Sequence, residues 1–148
     1  MMNDMKRFDY PVRLVQKEGF VIASCRDFPD LLVKTPTIDD TINGVVNMME
    51  VALTSIMTEG RLLPLPSQAE RGEIRVSPPA EVVAKAALYV AMAGSGLTKV
   101  QLAKELGIDE KEVRRLLDPT YRSKLPRLAQ AVDRLGYRLV IGLEQVHS

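Results

Sequence analysis

Apolar residues in this chain follow two rhythms, a period of two near its start and a helical period further on. Tyr10, Val12 and Leu14 alternate with Pro11, Arg13 and Val15, the pattern of a strand with one buried face. Pro11 has no N–H to give to a ladder, which places this strand at a sheet edge. Lys17-Glu18-Gly19 makes a short turn, with Gly19 free to take positive φ, and Phe20 to Ser24 returns as the second strand of a hairpin. Leu31 to Lys34 is a short third strand. A long helix follows: Thr37 caps it, Asp39 and Asp40 suit the positive end of its dipole, and Gly60 ends it. Ile38, Ile42, Val45, Met49, Ala52 and Ile56 form one apolar stripe that covers a face of the sheet. Met48, Met49 and Met57 are read as core rather than as a groove for a partner. Residues 61–72, with Pro64, Pro66, Ser67 and Gly72, read as a loop, and Glu73 to Val76 as a fourth short strand. Pro78-Pro79 breaks the chain, dividing it into domains of residues 1–77 and 78–148.

Beyond that break the period is helical. Ala80 to Ala93 is an Ala-rich helix closed by Gly94-Ser95-Gly96. Thr98 and Gln101 have the spacing of a capping box, and Asp109 and Glu112 repeat it. Two helix starts so close leave room for one short helix, Lys99 to Leu106, then a sharp reversal at Gly107. Leu102, Leu106, Ile108, Val113, Leu116 and Leu117 supply the inner faces, and small Ala103 suits a close crossing. Asp118-Pro119 stops the second helix. The stretch LTKVQLAKELGIDEKEVRRLLDP resembles the helix-turn-helix of phage repressors and Xre-type regulators, with Ala103, Gly107, Ile108, Val113 and Leu116 in the matching places. The resemblance implies sequence-specific binding of DNA with the second helix in the major groove.

The core face of that helix, set by Val113, Leu116 and Leu117, leaves Lys111, Arg115 and Asp118 opposite and Arg114 on the flank. Arg114 and Arg115 are the candidates for guanine, whose O6 and N7 match a guanidinium fork. Glu110 suits either a cytosine amine or the helix dipole. Phosphate contacts fall to Lys99, Tyr121, Arg122 and Lys124, with N–H groups at helix starts such as that capped by Thr98. Many repressors of this type have Gln where Lys99 stands. After the motif, Leu125, Leu128, Ala129, Val132 and Leu135 form another amphipathic helix, closed by Gly136. Tyr137, Leu139, Ile141 and Leu143 then alternate as a strand with no partner in its own domain. Pairing with the same strand of a second copy predicts a twofold dimer or a higher even oligomer, and a palindromic operator.

Composition adds charge asymmetry. Residues 1–77 carry nine Lys and Arg against eleven Asp and Glu, a net of −2, while residues 78–148 carry eleven against eight, a net of +3. The second half is thus suited to a polyanion and the first to a basic partner. Cys25 is the only cysteine, which excludes an internal disulfide, and it reads as a core residue. His147 has no Cys or His at ligand spacing, so neither metal nor other cofactor is expected. The start MMNDMKRF lacks an apolar signal region, and no stretch approaches the roughly 18 apolar residues of a membrane span, which points to the cytoplasm.

The first half also has a family likeness. FDYPVRLVQKEGFVIASCRDFPDLLVKTPTIDDTINGVVNMMEVALTSIMTEGRLLPLP resembles the N-terminal domain of HicB-type antitoxins, through YPV, GFVI, the DFPDL loop, the T-x-x-D-T-I helix start and LPLPS. With the helix-turn-helix, the likeness spans residues 8 to 143. It implies an α+β chain: a truncated RNase H-like sheet of three to four strands with one long helix, then an all-α DNA-binding domain ending in a short strand. It further implies an antitoxin that masks HicA, a small mRNA-cleaving toxin, and represses the operon encoding both. Asp27 and Asp30, in the loop after the hairpin, are candidate contacts to such a toxin. The chain departs from the family at Asp30-Leu31-Leu32, where a small pair is usual.

Two other functions fit the same elements less well. A metal-dependent nuclease needs carboxylates converging on the sheet, and Asp9, Asp27 and Asp30 are the only acids near the strands, none of them central. A stand-alone regulator with a ligand-sensing first domain is the alternative reading. A small basic gene immediately beside this one favours the antitoxin over that regulator.

Overall fold

The computed structural model describes residues 5–145. Strands β1 (Tyr10–Lys17), β2 (Phe20–Cys25), β3 (Phe28–Thr35) and β4 (Glu73–Val76) form one antiparallel sheet in the order β3-β2-β1-β4. Tyr10, Val12, Val21, Ala23 and Cys25 are buried under the helix α1 (Ile38–Thr58). Val15, Phe20 and Leu32 remain exposed. The β1–β2 turn has Glu18 at φ 54° and Gly19 at φ 81°. Two left-handed central residues give the turn a twist that matches the flanking strands.

Pro11 does not mark an edge. β1 lies inside the sheet, with β4 on the side expected to be open. The proline is tolerated because β1–β2 pairing begins only at Val12, so at Pro11 the strand faces β4 alone, opposite Arg75. The edges are β4 and β3, the latter longer than the expected Leu31–Lys34 and running through Pro29 and Asp30. An edge accommodates that proline, and the register with β2 shifts between Ser24, opposite Leu32, and Cys25, opposite Phe28, so the bulge falls in the DFPDL stretch expected as a loop.

α1 begins as expected, with the Thr37 hydroxyl accepting from the Asp40 N–H at 3.1 Å. Its buried line is Thr41, Val45, Met49, Leu53, Ile56 and Met57. Ile38 and Met48, expected in the core, are instead 44% and 38% exposed, and Leu53 takes a core place the stripe had omitted. Ile38 lies in the first turn, beyond the shelter of the sheet. Thr41 is accepted in the core because its hydroxyl bonds the Thr37 carbonyl at 2.8 Å. A Cβ on Gly44 would lie 2.7 Å from Val33 Cγ1. At Gly44 a larger residue would push α1 off β3.

The proline-rich segment from Arg61 to Gly72 is strapped down. Tyr10 Oη donates to the Pro64 carbonyl at 2.7 Å, and Leu63 enters the core. Asp27 accepts the Ser67 main-chain N–H at 2.9 Å and its hydroxyl as well. Arg26 reaches the Gln68 carbonyl at 2.9 Å and Glu73 at 2.7 Å, and the Glu73 side chain is only 2% exposed. The hydrogen bond from Arg26 holds the Glu73 carboxyl at about 2, well below its ordinary range.

Helix α2 (Ala80–Ser95) is buried on two sides. Val82 and Ala86 join the core beneath α1, and the Tyr89 hydroxyl donates to the Arg61 carbonyl at 2.6 Å. Ala84 and Leu88 join a second core with Leu116, Leu128, Ala131 and Val132. That core belongs to the helices α3 (Lys99–Leu106), α4 (Glu110–Leu117) and α5 (Leu125–Arg134). Between α3 and α4 the chain reverses through Gly107 at φ 67°, a left-handed conformation suited to glycine, and the Ile108 N–H closes onto the Ala103 carbonyl at 3.0 Å. The expected terminal strand is absent: residues 137–145 are irregular, Leu139 packing inward while Val140, Ile141 and Leu143 stand exposed. A strand needs a neighbour, and among the described residues no segment lies beside this one to pair with it.

The Arg26–Glu73 pair makes stability depend on acid. Because the folded-state pKa of Glu73 is depressed from 4.5 to about 2, its contribution is complete above about pH 4.5 and is lost as pH falls towards 2. Denaturant unfolding across that range should show the wild type losing its advantage over Glu73→Gln. A gap that stays constant with pH refutes the pairing.

Candidate nucleic-acid interface

Short helices are marginal alone, and α3 and α4 are supported by their caps as well as by packing. Thr98 and Gln101 form the full reciprocal box on α3, with Gln101 N–H to Thr98 Oγ1 at 3.1 Å and Thr98 N–H to Gln101 Oε1 at 2.8 Å. The repeat at Asp109 is only half of one: the Asp109 carboxylate accepts from the Lys111 N–H at 3.3 Å. Leu102, Ala103 and Val113 are buried between the two helices.

Opposite Val113 and Leu116, α4 exposes Lys111, Arg114 and Arg115. Glu110, partly buried, takes the Arg114 guanidinium at 2.8 Å. Arg115 lies 5.4 Å from the centre of the Tyr121 ring. The turn after α4 is knitted by Asp118, which accepts from the Thr120 N–H at 2.9 Å and hydroxyl at 2.7 Å. Those bonds hold its carboxyl below the usual value.

Arg115, Tyr121, Arg122 and Lys124, together with Glu112 and Arg127, surround an open recess of about 240 Å³. Thr98 and Lys99 lie elsewhere, at the start of α3; Lys99 is exposed, while the hydroxyl and N–H of Thr98 serve the capping box. Arg122 reaches Glu81 at 3.4 Å, both largely exposed. Arg127, absent from the sequence candidates, sits one turn into α5, three residues after Lys124, and that spacing is the signal that would have found it. α5 has no side chain capping its first N–H groups.

A second residue escaped the sequence. Lys85 on α2 is 6% exposed, and its Nζ donates to the Arg115 carbonyl at 2.9 Å, the Leu116 carbonyl at 2.9 Å and Ser123 Oγ at 2.8 Å. Burial pushes its ammonium down to about 8, and the charge of Asp118 acts in the opposite sense.

On the sheet, Asp30 is exposed on the edge strand β3, whereas Asp27 is committed to Ser67. Asp9 is paired with Arg7 and Arg75. Among the described residues no three His, Cys, Asp or Glu side chains cluster as metal ligands would, and no single helix is long and apolar enough to cross a membrane. His147 lies outside the described residues.

Comparison with known proteins places this geometry. The family model of the HicB-like antitoxin of bacterial toxin–antitoxin systems matches residues 9–87, the sheet, α1, the strap and the first half of α2. Antitoxin HicB of Pseudomonas fluorescens (strain Pf0-1) is 29% identical over 138 residues, covering 93% of this chain and 94% of that protein. Antitoxin HicB 1 of Photorhabdus laumondii subsp. laumondii is 26% identical over 141 residues, 95% of this chain and 90% of its own. Antitoxin HicB of Escherichia coli (strain K12) is 27% identical over 131 residues, with 88% and 95% covered. All of these alignments run on into the helices that carry the cationic face. With its sheet and long helix matched over more than half its length, the chain belongs to the HicB-like antitoxin family.

Proposed function

We propose that this protein is a cytoplasmic, non-enzymatic antitoxin that masks a HicA-type mRNA-cleaving toxin and represses its own operon by binding operator DNA. The toxin-facing module is the truncated RNase H-like part, residues 1–77, and the DNA-binding and dimerisation module is residues 78–148. Membership of the antitoxin family supports the first activity. A single observation carries the second: a short helix, capped at both ends, turns Lys111, Arg114 and Arg115 away from the protein.

In this reading α3 and α4 are a helix-turn-helix, and α4 lies in the major groove. Arg115 addresses guanine, its plane steadied by Tyr121. Arg114 must leave Glu110 to do the same, at a cost of only about 0.3–0.5 kcal/mol for an exposed pair of this spacing. Glu110 is then free to accept from a cytosine amine. Phosphates are held by Lys99, Tyr121, Arg122 and Lys124, joined by the Arg127 side chain. The net −2 of residues 1–77 complements a toxin that must be basic to grip RNA. Asp30 is available for that contact as it stands, and Asp27 only by giving up Ser67.

The division of labour is tested with a duplex that the protein selects from a random-sequence pool, alongside an unselected one. Arg115→Ala should cost about 1–3 kcal/mol on the selected duplex and little on the other. Lys124→Ala should weaken both alike and lower the salt slope by roughly one phosphate. If fluorescence anisotropy finds both variants indistinguishable from wild type, α4 is not the reading helix.

The exposed apolar side chains of residues 137–145 are explained by pairing with the same segment of a second copy, forming the strand the single chain lacks. Removal of residues 137–148 should convert an even oligomer to a monomer in light-scattering chromatography; an unchanged mass refutes this interface. The antitoxin role is tested by co-expression with a small basic gene found immediately beside this one. The two products should co-purify and the cells should survive, and death of cells making both proteins counts against the assignment.

A further inference from the structure

A lysine buried in an apolar face is costly, because its ammonium leaves water. Lys85 lies on the side of α2 that carries Ala84 and Leu88, against Leu116 and Leu128, where the helical pattern calls for an apolar residue. It is retained in charged form only if every N–H finds an acceptor, and all three do. Two of the acceptors are carbonyls in the last turn of α4, at the negative end of the helix dipole, where the Arg115 carbonyl also takes the Asp118 N–H at 3.3 Å. The third is Ser123, in the turn that also carries Tyr121, Arg122 and Lys124. One ammonium therefore joins the backbone of Arg115 to the segment whose Tyr121 ring supports the Arg115 side chain.

The opposite side of α2 is anchored elsewhere. Val82 and Ala86 sit in the core beneath α1, and Tyr89 bonds the strap at Arg61. α4 is thus aligned against a helix that is itself fixed to the N-terminal sheet, and not against α3 alone.

We propose that Lys85 is a positioning residue for DNA recognition: without touching DNA, it holds the C-terminal end of α4 and the following turn in the geometry that base reading requires. This rests on the DNA-binding reading above. Recognition of a selected sequence depends on the placement of α4 to within fractions of an ångström. Non-specific attraction depends on exposed charge, which Lys85 does not supply.

Full-length Lys85→Met is compared with wild type by hydrogen–deuterium exchange and by affinity for the selected and unselected duplexes. Amide protection over residues 115–123 should fall about tenfold, the scale of one lost charge-assisted bond, while β1 and β2 are unchanged. Affinity for the selected duplex should fall by about tenfold or more, with affinity for the unselected duplex and its salt slope unchanged. Unchanged exchange at residues 115–123 overturns the proposal. So does an equal loss on both duplexes with a shallower slope, which would make Lys85 an ordinary phosphate charge. A wild type that selects no duplex removes the DNA reading and the positioning role together, and that outcome is read on wild type alone. If Lys85→Met does not fold, Lys85→Gln is judged by the same criteria.

Discussion

Everything in this molecule is referred to a helix that has to be buried on two sides at once. An ordinary surface helix hides one stripe and wets the other. α2 hides Val82 and Ala86 in one core and Ala84, Leu88 and Ala91 against other neighbours, which explains its run of alanines. Small side chains let two sets of neighbours approach one axis without overpacking. The consequence is mechanical: the sheet-bearing part and the cationic helices share an element, so neither is placed independently of the other.

On the sheet side the same economy applies to the strap. A stretch broken by Pro64 and Pro66 has little regular structure to form. Here it is held by side chains that belong to other elements: Tyr10 of β1, Arg26 and Asp27 of the β2–β3 turn, and Tyr89 of α2. Glu73, screened from water and gripped by Arg26, ties the end of the strap to the turn between β2 and β3. The tight strap brings β4 back beside β1 and so makes β1 an interior strand.

What could be read in the sequence was whatever depends on neighbours in the chain. The turn at Gly19, the Thr37 cap, the Thr98–Gln101 box, the reversal at Gly107 and the short strand from Glu73 all follow from local spacing. The exposed cations of α4 follow from helical phase alone. What stayed hidden depends on residues far along the chain. Pro11 suggested an edge because β4, more than sixty residues later, is not visible from its own strand. Ile38 continued the stripe in phase, but the sheet ends before it, and Leu53 was needed instead. Asp27 read as a loop acid until Ser67 was seen to close on it. Lys85 contradicts its own helix pattern and makes sense only against the end of α4. Residues 137–145 have the alternation of a strand, but alternation cannot supply the neighbour that a strand requires.

The size of α4 sharpens the last point. A helix of 8 residues has almost no unsupported core of hydrogen bonds: its first N–H groups and last carbonyls make up most of it. Its geometry is therefore dictated by what meets those ends, Asp109 in front and Lys85 behind. If such a helix reads bases, the precision of the reading is set less by the arginines that touch DNA than by the groups that close the helix. A change in the α1–α2 packing is then felt at Arg115 through Lys85, whereas a change on the exposed face of α4 is felt only by the DNA. The residues that tune affinity and those that tune selectivity need not be the same, because charge acts at a distance and geometry acts only through contact.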